Sequence, residues 1–333
     1  MKQPFKVALT WDYELYFGAR TGTVAGCMLE PADKLLEIAD ATGSRFTFFA
    51  DAGFLWKATL ENDSSVQQDL QDICTQIKQW DQEGHETGLH IHPHWEDCHY
   101  KGGFWQMDIQ RYKLIDFSKQ EAASIISKYT DVVKKRVQQP IKVFRAGGWC
   151  AQPFHHFSDA LYDVGIRADS SVYRGGVNLN NTYQYDFSKC PLKDHWTFNN
   201  DVCSQEANGR FHELAIGSKK YSPFFFWKLF VLGRLYPHLH KPLGNGLPAV
   251  GGGSKWKFLT RSNVLPVSAD GYFVTKLKSS ILHAQQNKQP FLVVIGHPKA
   301  CTRFQIKHLE KLIREASDNV KWVTLSQLME NKE

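Results

Sequence analysis

Three imidazoles fall within five residues in Gly88-Leu89-His90-Ile91-His92-Pro93-His94-Trp95, and two carboxylates stand two apart in Thr10-Trp11-Asp12-Tyr13-Glu14. Neutral imidazole is the common nitrogen ligand of zinc and similar divalent ions. Alternate residues of an extended chain face one side, so His90 and His92 would present their rings together, as Asp12 and Glu14 would their carboxylates. His90 and His94 are the competing pair. One acid added to two histidines gives a two-histidine, one-carboxylate centre with open positions for water and substrate, the pattern of metal-assisted hydrolysis. Taken alone, the two acids could equally be a solvated strand end. Three histidines this close are poorly explained by core packing. Further candidates are Arg145 and Asp169, in Phe144-Arg145-Ala146-Gly147-Gly148-Trp149 and Arg167-Ala168-Asp169-Ser170-Ser171, and His297, in Leu292-Val293-Val294-Ile295-Gly296-His297-Pro298. A surface arginine before a turn, or a histidine capping a strand, is the plain alternative for two of them.

These clusters need elements that bring them together. Short β-rich runs alternate with helical periodicity, the pattern of a βα-repeating fold on a parallel sheet or barrel. Strands are expected over Lys6–Trp11, Arg45–Ala50, Glu86–Ile91, Ile141–Phe144, Ile166–Asp169 and Phe291–Ile295, with a closing element from Val320 to Leu325. Helices are expected over Glu30–Ala39, where Pro31 suits a first turn, and over 64–83, where Val66, Leu70, Ile73, Ile77 and Trp80 keep helical spacing. Others are expected over 118–137, Pro153–Val164 and Arg303–Ala316. In such folds the carboxyl ends of the strands share one mouth, and every candidate above falls at a strand end. Between about 172 and 255 the pattern gives way to Asn-, Gly- and aromatic-rich sequence with one strand-like piece at Phe211–Ile216. We read one domain over residues 1–333, with that stretch as an elaboration.

The order of these clusters resembles the polysaccharide deacetylase family, also called the NodB-homology or carbohydrate esterase family 4 group, over roughly residues 5 to 330. The resemblance is closer to a divergent branch associated with surface-polysaccharide and O-antigen biosynthesis. It implies an α/β fold, a distorted (β/α)7 barrel carrying a divergent insertion, and a divalent metal held by one acid and two histidines. Thr10-Trp11-Asp12-Tyr13 is similar to the family's T-F-D-D motif, which implies Asp12 as catalytic base. Tyr13 replaces the second aspartate, so Glu14 would serve as acidic ligand. His90 and His94 match the spacing of H-[ST]-x-x-H, with Ile91 at the Ser/Thr position and His92 as a further ligand candidate. By the same resemblance Arg145 would orient Asp12, Gly147 and Gly148 would give substrate close access to the backbone, Asp169 would buttress a catalytic side chain, and His297 would be the general acid. The implied activity is hydrolysis of an N-acetyl or O-acetyl group on a sugar or glycan, with zinc, or else cobalt, manganese or nickel, as the ion. A metal-dependent amidase or deformylase and a degenerate carbohydrate binder are the rival functions.

With 42% hydrophobic and 13% aromatic residues in 333, the chain can bury a large core, which excludes a disordered or fibrous protein. Trp95 and Trp149 suit stacking on sugar rings. The net charge of +6 suits an anionic partner such as a nucleotide- or lipid-linked sugar or a membrane surface, and no motif argues for nucleic acid. Seven scattered cysteines without a CxxC pair read as reduced thiols. No signal-like stretch and no membrane-spanning run is present, so the expected location is cytoplasmic, at the inner face of the membrane. Residues 222–240 combine bulky apolar side chains with Lys228 and Arg234, which fits peripheral membrane contact, a lid, or a buried helix. Gly251-Gly252-Gly253-Ser254-Lys255 lacks the Walker spacing and reads as a flexible loop.

Overall fold

Strand β1 (Phe5–Tyr13) is buried over its last seven residues, as a strand covered on both faces must be. The computed structural model describes residues 3–248 and 255–329; the glycine run 251–254 lies outside them. β1 pairs in parallel with β2 (Thr47–Asp51), β8 (Phe291–Gly296) and the short closing strand β9 (Val320–Trp322). The sheet continues through β3 (Glu86–Ile91), β4 (Val143–Ala146), β5 (Ala168–Asp169), β7 (Phe211–Leu214) and the antiparallel edge strand β6 (His195–Phe198). Its order is β6-β7-β5-β4-β3-β2-β1-β8, with β9 beside β1. Ile216, two residues past β7, forms a parallel bridge with Val293 of β8, and Gly217 N–H donates to the Val293 carbonyl at 2.9 Å. The sheet therefore curls into a distorted α/β barrel, as expected.

The crossovers are made by α1 (Glu30–Thr42), α2 (Ala52–Leu60), α3 (Ser64–Gln82), α4 (Lys119–Lys134), α5 (Ser158–Asp163), α7 (Leu277–Gln286) and α8 (Arg303–Ala316). α3 buries Val66, Leu70, Ile73, Ile77 and Trp80, the residues of its predicted stripe. Helix α2 buries its first four residues in a row and then Ala58, which gives no helical stripe, and it was missed for that reason. The helix expected over Pro153–Val164 divides into a turn at Phe154–His156 and α5, without a side-chain cap at the join.

The segment after β7 forms a two-stranded ribbon (Ser218–Tyr221 with Asn263–Pro266) and α6 (Pro223–Leu235), around a small second core of Tyr221, Phe225 and Phe226. All seven cysteines are free. Among the described residues no helix is long and apolar enough to cross a membrane.

Candidate metal and catalytic centre

The carboxyl ends of five strands meet around one cluster of buried polar side chains. β1 alternates, so Thr10, Asp12 and Glu14 share a side while Tyr13 turns away. The Tyr13 hydroxyl donates to Gln76 Oε1 at 2.7 Å, and its ring stands edge-on to Trp80, so position 13 belongs to the packing of α3. Glu14 reaches the cluster instead.

Glu14 Oε2 lies 2.6 Å from His92 Nε2 and 3.1 Å from His90 Nε2, and the two Nε2 atoms are 3.0 Å apart. Each of the three side chains offers a ligand atom within 4.8 Å of the others. The other carboxylate oxygen accepts from Lys299 Nζ at 2.8 Å, and the same ammonium donates to the Leu15 carbonyl at 2.7 Å. Glu14 is thus held by one oxygen and presents the other. Burial works against its charge, but Lys299 and then His92 outweigh it and hold the carboxyl well below the ordinary range. His90 Nδ1 sits 2.8 Å from the Arg145 carbonyl; donating there leaves the Nε2 lone pair aimed at the cluster, the outer support that metal-ligating histidines need. Two imidazoles and a carboxylate converging in this way fit a divalent ion.

His92 and His94 part company because β3 ends at Ile91 and Pro93 opens a tight turn over Pro93–Glu96, so residue 94 leaves the alternation of the strand. The His94 ring is stacked on Tyr112, with centroids 5.1 Å apart, and among the described residues neither ring nitrogen has a hydrogen-bond partner. Burial, then the His92 charge, keeps it neutral. The H-x-x-x-H spacing thus does not select the pair that faces Glu14; the i, i+2 pair does.

Asp12 stands beside this group, its Oδ2 3.9 Å from His90 Nε2. Its other oxygen, Oδ1, takes a hydrogen bond from Arg145 Nη1 at 2.6 Å. Arg145 has no exposed surface; it also donates to the Ser170 carbonyl at 2.8 Å and to Thr10 Oγ1 at 2.9 Å. Burial pulls Asp12 toward the neutral acid, but Arg145, followed by His90 and His297, keeps its carboxyl below the ordinary value.

His297 follows β8 directly. Its Nδ1 lies 2.8 Å from Asp270 Oδ2, and its backbone N–H donates to Asp270 Oδ1 at 2.7 Å. Nε2 consequently faces the two carboxylates, 3.7 Å from Asp12 Oδ2 and 4.0 Å from Glu14 Oε1. Burial opposes the charged ring, yet Asp270 foremost, then Asp12 and Glu14, raises its pKa above the ordinary 6.5. Its side chain is 21% exposed against 6% for Asp12 and Glu14, so it borders the open side of the cluster.

The remaining expected residues take other places. Asp169 accepts from Ser171 N at 2.9 Å and Ser171 Oγ at 2.8 Å, and shares a hydrogen bond with Glu213. Ser171 Oγ in turn accepts from Ala146 N, so Asp169 steadies the backbone next to Arg145 and does not touch Asp12. Burial and the Asp169 charge push the Glu213 carboxyl well above its usual range. Gly147 is buried against His92, where a Cβ would come within 2.4 Å of Nδ1; it makes room for a ring and has no surface for substrate. Gly148, at φ +59°, occupies the left-handed region, and Trp149 is half-buried beside Tyr173 and Tyr185. Trp95 is corrected outright. It has no exposed surface, its Nε1 donates to Asp51 Oδ2 at 2.7 Å, and it packs among Phe54 and Trp105, so no sugar can stack on it.

Lys299, Asp270 and Asp51 were missed. Asp51 ends β2 and could have been found by the strand-end rule that found the others; it caps α2 through Gly53 N and Phe54 N. Lys299 follows His297 by two residues, a weaker signal of the same kind. Asp270 had none, because it lies in irregular chain.

No family model matches the chain, and no curated protein does. Solved structures do. A protein described as a polysaccharide deacetylase from Mycobacterium smegmatis superposes with a TM-score of 0.54 at 14% identity, covering 99% of this chain and 91% of that one. The Xyl-CE4 domain of a multidomain xylanase from the hindgut metagenome of Trinervitermes trinervoides gives a TM-score of 0.40 at 11% identity, covering 99% and 92%. A peptidoglycan deacetylase from Bacillus subtilis gives 0.37 at 12%, covering 98% and 91%. At 14% identity the first shows a shared fold, the distorted barrel described above.

Proposed function

We propose that the protein is a metal-dependent deacetylase that hydrolyses an N-acetyl or O-acetyl group on an amino sugar or glycan. One observation carries the reading: Glu14, His90 and His92 converge on a single point, flanked by a buried carboxylate locked to an arginine and by a histidine backed by an aspartate. In this reading Glu14, His90 and His92 hold the ion, with His94 outside the set. The M. smegmatis protein of the same fold is described as a polysaccharide deacetylase, which supports the substrate class. Zinc as the ion and surface-polysaccharide or lipopolysaccharide assembly as the process rest on the five motifs alone.

When bound, a divalent ion at this site supplies Lewis acidity to the acyl oxygen and to the attacking water. The chain's own groups divide the proton work. Arg145 occupies Asp12 Oδ1, which leaves Oδ2 to take a proton from the water as it adds to the acyl carbon. Asp270 keeps Nδ1 of His297 protonated and fixes its ring, so Nε2 faces the cluster and can deliver a proton to the departing sugar nitrogen or oxygen. The acyl carbon–heteroatom bond breaks, acetate leaves, and the sugar amine or hydroxyl carries the proton. Half-buried Trp149 lies next to Gly148 and is the aromatic surface left for a sugar ring.

The test is acetate release from N-acetylated amino-sugar oligosaccharides by metal-saturated protein, with a panel of formyl and non-sugar amides alongside. Asp12→Ala is expected to lower kcat by about 10²–10⁴-fold, the worth of a positioned base, while the metal content stays unchanged. Full activity in that variant sinks the assignment. Preferential turnover of a formyl or non-sugar amide moves the protein to the amidase reading. Failure to retain any of zinc, cobalt, manganese or nickel makes it a degenerate binder.

A further inference from the structure

Between Glu213 and Asp270 the chain contains no acidic residue, yet it carries eight basic ones. That exceeds the net +6 of the whole protein, so everything outside this stretch is net negative. The positive character of the chain is therefore local. It coincides with α6 and the turn of helix beside it (Lys255–Thr260), which together form the second core.

Helix α6 is apolar on both faces. Phe225, Phe226, Leu229 and Phe230 pack inward on Tyr221, Phe258 and Phe273. The opposite face carries Phe224, Trp227, Val231 and Leu235, spaced three or four apart, at 76%, 50%, 45% and 65% exposure. Trp256, 69% exposed, stands on the neighbouring helical turn. Singly exposed apolar residues are ordinary, but a stripe of four large ones on one helix marks an interaction surface. Lys228 and Arg234 are exposed on the same helix, with Lys255, Lys257 and Arg261 on the adjoining turn. None of these five forms an ion pair among the described residues; Lys228 lies over the Tyr272 ring.

From this charge and this stripe we infer that α6 docks on an anionic lipid bilayer, with Phe224, Trp227, Val231 and Leu235 entering the headgroup boundary and the basic side chains on lipid phosphates. A protein partner or a second copy would have to cover an apolar helix ringed by uncompensated positive charge. An anionic bilayer meets both needs at once, because it takes up apolar side chains and attracts each nearby Lys or Arg. The docking segment is joined to the centre described above. One side of α6 and the Asp270–Phe273 segment line an open groove of about 360 Å³, and Asp270 is the residue that holds His297. Docking itself requires no catalysis, so its test and the test of hydrolysis fail independently.

The experiment is flotation of the full-length protein with two vesicle types, phosphatidylcholine alone and phosphatidylcholine mixed with an equal part of phosphatidylglycerol. The protein is expected to float with the mixed vesicles and to stay down with the neutral ones, and high salt is expected to release it. Lys228→Gln with Arg234→Gln is expected to weaken partitioning roughly 25-fold, at about fivefold per basic residue near the surface. Phe224→Asp, at the most exposed position of the stripe, is expected to abolish it with an unchanged thermal melt. Equal binding to both vesicle types, or binding to neither, overturns the inference. So does concentration-dependent self-association in sedimentation that Phe224→Asp removes without any vesicle binding, since the stripe would then be an interface between copies.

Discussion

Replacing Arg145 by methionine keeps much of the side chain's volume and removes its charge. The guanidinium has no exposed surface, lies 4.1 Å above the Phe49 ring, and makes its shortest bond, 2.6 Å, to Asp12. Thr10 Oγ1 still donates to the Val294 carbonyl and Ser170 Oγ to that of Leu214, so the hydroxyls lose little, while the Ser170 carbonyl loses its Arg145 donor. Asp12 would lose its counter-charge while remaining buried. Breaking a buried ion pair from one side costs roughly 3–5 kcal/mol, a large share of the 5–15 kcal/mol typical of a folded domain. The pH dependence identifies the cause. In the native protein the folded pKa of Asp12 lies below its unfolded value, so its contribution is present above the unfolded pKa and lost as pH falls through the folded one. Without Arg145, burial dominates and lifts the folded pKa above the unfolded one. The deficit of the variant should therefore be largest near neutral pH and shrink as acid protonates Asp12 in both states. Urea denaturation of metal-saturated protein across that range measures it, and Asp12→Asn in the Arg145→Met background should recover most of the loss. A deficit below about 1 kcal/mol, or one that does not change with pH, would refute the reasoning.

The other expectations concern the geometry around the cluster. Gly147→Ala places a methyl 2.4 Å from His92 Nδ1; isothermal titration should show metal affinity reduced about 10- to 100-fold, the usual effect of disturbing a ligand's support. His92→Phe should abolish stoichiometric metal binding while His94→Phe retains it, and the reverse result in metal analysis would restore the H-x-x-x-H pair. Asp270→Asn removes the carboxylate that does most to raise His297, so the basic limb of kcat/KM, which reports loss of the proton from the acid, should move to lower pH with the acidic limb unmoved.

The strand ends were legible because a buried parallel strand writes itself as an unbroken apolar run, and a polar residue that closes such a run has few reasons to be there. Asp12, Glu14, His90, His92 and His297 were all visible in this way, as were the i, i+2 relation of His90 to His92 and the barrel class. Helix α2 was not, because its short apolar start, Ala52 to Leu55, is buried as one block and sets up no helical period. Nor was the burial of Trp95: a tryptophan beside a histidine cluster reads the same whether it faces a sugar or Asp51, and only the packing of α2 against that turn decides. The choice between His92 and His94 also lay in the fold, since it depends on where β3 stops and the Pro93 turn begins. Asp270, Lys299 and Asp169 mark the same boundary from the other side. Sequence determines which side chains can ligate, donate or accept a proton, because that chemistry belongs to each residue. Which of them share an atom's neighbourhood, and which carboxylate an arginine or a lysine holds in its charged form, is set by contacts between residues as much as 285 positions apart, and those exist only once the barrel has closed.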